Sequence, residues 1–213
     1  LLYDLMPDVL DWYYKRATEM DEFFCGVSGV AYISAVDYAT RLHDPEEAWR
    51  RFTALTRAYC EALDLNIIEL YMGPPQLTTQ RADVLWRYIL GIPHLNALLA
   101  GLGRRWEIEG DKMAQLMQWI PVFWTATDLH VWQTSAEVVS RGKREVVDWL
   151  VAEIRRRTPA SRPAFMSAMP VSWTFNASLI RQVVDALGPD YVAVTPGQLA
   201  DLYLQHQGVA PVH

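Results

Sequence analysis

What most constrains the fold is a run of six residues, Asn66-Ile67-Ile68-Glu69-Leu70-Tyr71. It is β-branched and apolar without alternating polar positions, and Gly73-Pro74-Pro75 stops it. A strand of that kind has both faces covered, which is the condition of parallel sheets. The stretch before it is a helix. Asp44 can cap it, Pro45 takes the first helical position and Glu47 completes a capping box. Trp49, Phe52, Leu55, Tyr59 and Leu63 then recur every three or four residues, the stripe of a helix lying on a core. A buried strand fed by an amphipathic helix predicts parallel pairing through crossovers.

The same alternation runs along the chain. Pro7 opens a helix over 7–18. Phe23-Phe24-Cys25 reads as a short buried strand that opens onto a turn with Gly26, Ser28 and Gly29. Thr79 to Gly91 predicts a helix, and His94 to Leu99 a strand. Met113, Leu116 and Met117 carry helical spacing and predict a short helix. Pro121-Val122-Phe123-Trp124 reads as a strand running into Thr125 to Trp132. Arg144 to Arg157 is a helix whose last-turn arginines complement its dipole. Residues 163–170 predict a strand, and Asn176 caps a helix closed by Gly188-Pro189. Residues 190–194 predict a sixth strand, and Thr195 to Gln198 start a final helix with a second capping box. The class is therefore α/β, parallel strands alternating with helices, either an open doubly wound sheet or part of a (β/α) barrel. Residues 1–207 are expected to form a single domain, with a loose tail at 208–213.

Size and charge exclude several roles. A chain of 213 residues, 51% hydrophobic and 21% charged, is globular and can bury a core without staples. Its net charge of −6 argues against a nucleic-acid partner, which needs cations to displace counterions. No apolar run is long enough to span a bilayer, so no membrane partner is expected. Cys25 and Cys60 are expected as buried free thiols and do not fix the compartment.

The residues Asp11-Trp12-Tyr13-Tyr14-Lys15-Arg16-Ala17-Thr18 and Asp21 to Tyr32 resemble the signature region of the bacterial glycoside-hydrolase-like family named for a GxGYxYP motif. Pro121-Val122-Phe123 and Gly188 to Pro196 resemble its C-terminal domain, so the resemblance spans almost the whole chain. Of the motif, Gly29 and Tyr32 stand, while Ala31, Ser34 and Ala35 replace its second Gly, its last Tyr and its Pro. The resemblance implies a (β/α) barrel-like domain, incomplete here, that processes carbohydrate. It also implies that an acidic upstream segment of the protein falls before Leu1. A secreted or extracytoplasmic location is compatible with this.

Glycoside hydrolysis calls for two carboxylates, one with a raised pKa. Glu69, at a strand end, and Asp128, just past another, are the candidates. Glu22 precedes its strand and is assigned to the stability face. Sugars stack their C–H faces on aromatic rings, and Tyr32, Tyr71, Trp124, Trp132 and Trp173 all fall at or after predicted strand ends. Together with Ser28 and His130 they are the candidate carbohydrate-binding residues. Ser28 is not a hydrolase nucleophile, because Gly26-Val27-Ser28-Gly29 is not G-x-S-x-G. The turn lacks the lysine of a phosphate loop, and no H-x-x-x-H spacing occurs. Neither a cofactor nor a metal is expected. Two functions remain: a carbohydrate-active enzyme with its cleft at the carboxyl ends of the strands, or a non-catalytic carbohydrate-binding or scaffold domain of a larger protein.

Overall fold

The computed structural model describes residues 2–72, 82–102, 113–128, 143–169 and 176–210. Helices α1 (Leu2–Leu5), α2 (Pro7–Arg16) and α3 (Pro45–Ala62) precede strand β1 (Ile67–Tyr71). Helix α4 (Ala82–Gly91) leads to β2 (Ala97–Leu102), and β3 (Ala114–Met117) to β4 (Ile120–Asp128). Helix α5 (Lys143–Arg157), β5 (Ser167–Met169), α6 (Ala177–Leu187) and α7 (Pro196–His206) complete the chain. The capping residues sit where the sequence places them, but the expected box at Asp44 is half made, because the Glu47 carboxylate turns to Arg50 and Arg51 instead of the cap. Asp44 accepts from Glu47 N, Asn176 accepts from Leu179 N, and Thr195 and Gln198 form a reciprocal capping box.

Strand order settles the choice between the two α/β architectures. Cys25 makes a parallel bridge to Ile68 on one edge of β1. From there β1, β2, β4 and β5 follow side by side, all parallel and in chain order. A doubly wound sheet reverses its order at a switch point. This one never does, and it curls into a half-barrel with alternating helices, an incomplete (β/α) barrel.

Three local expectations are corrected. Residues 113–117 are not helical: β3 pairs antiparallel with β4, Met117 opposite Ile120, through the two-residue turn Gln118-Trp119. Gln118 has φ 55°, the left-handed backbone that tight hairpin turns require. The spacing of Met113, Leu116 and Met117 imitates a helix only by coincidence of period. The segment before Gly26 makes one bridge at Cys25 rather than a strand. Residues 190–194 are a turn and loop rather than a strand, pairing with no strand among the described residues, and Val192 is 81% exposed. The tail begins by folding back, with Val209 N donating to Leu204 O at 2.9 Å.

The two faces of the sheet bury different partners. Ile68, Leu70, Leu98, Ala100, Val122 and Trp124 point outward into a core shared with α3 and α4. There Trp49, Phe52 and Tyr88 meet edge to face with centroids 5.7 to 6.4 Å apart. On the concave side Ile67, Ala97 and Phe123 are covered by Ala200 and Tyr203 of α7. Helix α7 is anchored at its start by Glu22, whose Oε2 accepts from Gly197 N at 2.6 Å. Helices α5 and α6 share a third cluster built on Val146, Leu150, Ile154, Leu179 and Val183.

Candidate functional site

Because side chains alternate along a strand, pairing defines which residues share the concave face. Ile67 pairs with Ala97, Glu69 with Leu99, Leu99 with Phe123, and Thr125 with Ser167. Ile67 and Ala97, with Phe123 one step higher at the level of Leu99 and Glu69, are apolar and lie under α7. Towards the carboxyl ends the face becomes polar: Glu69, Tyr71, Thr125 and Ser167. The carboxyl ends of parallel strands are where α/β domains place their ligands.

Glu69, level with Leu99 and Phe123, is the charged group of this face. Its side chain is buried, 6% exposed, and among the described residues no hydrogen-bond donor or cation reaches its carboxylate. Loss of water without a compensating partner disfavours the charged form. Burial accordingly pushes the Glu69 carboxyl up to about 7. Its backbone is held on both sides. Glu69 N donates to Cys25 O at 2.9 Å, and Ser28 N donates to Glu69 O at 2.6 Å. Beside it, the rings of Tyr32 and Tyr71 lie 5.4 Å apart, tilted by 37°. Tyr32 is 71% exposed, so one aromatic face looks into solvent. Partial burial, then the nearby Tyr71 and Glu69 charges, raise the Tyr32 phenol above its ordinary value.

Two candidates stand elsewhere. Ser28 is fully buried with φ +68°, and every polar group it has is engaged. Its hydroxyl donates to Ile33 O at 2.9 Å and accepts from Tyr71 N at 3.0 Å, while its carbonyl accepts from Tyr88 Oη at 2.8 Å. It is a pivot that fixes the turn to β1 and α4, not a surface for a ligand. Trp124 is fully buried on the outward face, against α3 and α4, because β4 alternates and Phe123 takes the concave side.

Asp128 ends β4 in register with Met169. β4 takes three steps from Thr125 to Asp128 where β5 takes two from Ser167 to Met169, so an extra residue brings position 128 back onto the face of Thr125, one step further along. His130, Trp132 and Trp173 lie outside the described residues. Sequence reasoning overlooked Thr125 and Ser167. Ser167 Oγ is buried and has no hydrogen-bond partner among the described residues. Strand pairing, which composition does not carry, is what puts them in the row.

Among the described residues no group of three or more His, Cys, Asp or Glu could hold a metal, and no helix is long and apolar enough to cross a membrane. A family model described as the GxGYxYP putative glycoside hydrolase C-terminal domain matches residues 1–204. The chain belongs to this family. The family match runs through every element of the half-barrel, from α1 into α7, so Glu69 and its tyrosines lie within the GxGYxYP domain. No curated protein and no solved structure matches the chain.

Proposed function

We propose that this GxGYxYP domain cleaves glycosidic bonds at the carboxyl ends of β1 and β4, with Glu69 as the general acid. The observation that carries the reading is the Glu69 carboxyl, held up to about 7 by burial beside the exposed Tyr32 and the half-buried Tyr71. An acid with that pKa holds its proton near neutrality and releases it readily, which is what protonating a leaving glycosidic oxygen requires. Tyr32 and Tyr71 offer ring faces on which a sugar's C–H surface stacks. Asp128 supplies the second carboxylate. In the reaction the Glu69 proton passes to the bridging oxygen as the bond to the anomeric carbon breaks. The oxygen of water ends on that carbon, and its spare proton returns to the carboxylates.

The test is hydrolysis of a panel of p-nitrophenyl glycosides by the wild type and by Glu69→Gln. The expected result is a loss of kcat by at least about a hundredfold, with sugar binding retained. Ala31, Ser34 and Ala35 in the family motif favour a second reading, glycan binding without turnover. Equal binding by wild type, Glu69→Gln and Asp128→Asn, with no hydrolysis by any, would select it and dismiss the first.

A further inference from the structure

Two glycines of the turn before β1 do different jobs. Gly29 is required by the backbone. Its φ is +118°, and an added Cβ would lie 2.6 Å from Thr56 Oγ1. Gly26 is not. Its φ lies outside the left-handed region that favours glycine, and it is exposed. A Cβ there would meet one atom within 4 Å among the described residues, Glu69 Oε2 at 3.8 Å, an ordinary van der Waals contact. Neither conformation nor packing calls for glycine at this place. What glycine does there is place no side chain between Oε2 and an exposed stretch of main chain.

We propose that Gly26 is the access window to the Glu69 carboxyl, and that a sugar ring reaches the acid by lying across the Gly26 backbone. This rests on the glycosidase reading for the identity of the ligand, though the window itself does not. Glu69 is only 6% exposed, and Cys25 O, next to Gly26 in the chain, accepts from its amide. The Tyr32 ring, 71% exposed, stands close by, where it can receive the apolar face of the same ring. Residue 26 thereby sets how large a group can come to the acid. Glycine admits a ring, alanine admits less, and a branched side chain closes the approach.

The experiment uses Gly26→Ala and Gly26→Leu in the full chain, with two readouts. One is amidation of Glu69 by a water-soluble carbodiimide with glycine ethyl ester, quantified by peptide mass spectrometry. The other is turnover of p-nitrophenyl glycosides. Thermal melts verify folding. The window predicts an unchanged or slightly raised Tm for Gly26→Ala, as for other glycines in ordinary backbone conformations. It predicts graded loss of Glu69 labelling, several-fold in Gly26→Leu, and about a hundredfold loss of turnover in that variant. Labelling at wild-type levels in a folded Gly26→Leu protein overturns the proposal, as does a collapse of Tm in Gly26→Ala, which would make the glycine structural. Reduced labelling with no turnover in any protein, wild type included, leaves the window standing and rejects the glycosidase reading.

Discussion

The outward and concave faces of one sheet are built to opposite specifications. The outward face is sealed. Ile68, Leu70, Leu98, Val122 and Trp124 are all fully buried under α3 and α4. The concave face is sealed only in its lower part, where α7 lays Ala200 and Tyr203 over Ile67, Ala97 and Phe123. Two positions along the same strand from Ile67, a carboxyl sits desolvated with no described partner. Removing an ionisable group from water without pairing it costs stability. The difference teaches that the outward face holds the fold together while the upper concave face keeps a buried, unpaired carboxyl at a cost in stability, which is what the proposed acid requires.

The largest expected effect breaks the outward face. Trp124→Ala empties a fully buried site and is expected to cost about 3–5 kcal/mol, lowering Tm by about 10 °C. A melt within 2–3 °C of the wild type would show that the face is not the close-packed half.

The second effect has the opposite sign and depends on pH. The folded pKa of Glu69, about 7, lies above its ordinary 4.5. Between these values the folded chain binds more protons than the unfolded one, so this group's contribution is complete below about pH 4.5 and is lost as pH rises through 7. Glu69→Gln abolishes that loss. It is expected to stabilise the protein by up to about 3 kcal/mol at pH 8 and by little at pH 5, read as Tm against pH. A variant that is destabilised at pH 8 would place Glu69 among the residues that hold the fold.

The smallest effect concerns the floor of the concave face. Glu22→Ala removes the carboxylate that accepts from Gly197 N at the start of α7. It is expected to cost about 1 kcal/mol, visible as a slightly lower urea midpoint with Glu69 titration unchanged. Thr195 and Gln198 still cap the helix, which keeps the loss small.

Much of the fold was legible because the signals were local. Asp44, Asn176 and Thr195 cap the helices their spacing predicts, and the uninterrupted run at Ile67–Tyr71 is a parallel strand buried on both faces. What was not legible depends on partners distant in sequence. Tyr191 to Val194 has strand propensity but no strand to pair with among the described residues, and Met113 to Met117 hides a hairpin behind a helical period. The site divides in the same way. Glu69 was marked by its strand, since an acid inside an apolar run is conspicuous. Trp124 was misassigned because a continuous apolar strand does not reveal which face each residue takes, and Ser28 because a serine between glycines looks like a loop tip. Gly26 was legible only as part of a turn, because what distinguishes it from Gly29 is the Glu69 carboxylate, a neighbour distant in sequence.

The most direct test of the central claim is the titration of the Glu69 side-chain carboxyl, followed by carbon NMR of selectively labelled protein and assigned by Glu69→Gln. The account predicts a midpoint near 7, set by burial, while the exposed Glu46, hydrogen-bonded to Arg87, titrates below its ordinary value. A Glu69 midpoint near 4.5 would contradict it, since an acid already ionised and solvated at neutral pH could neither carry the proton nor mark the open face as the working one.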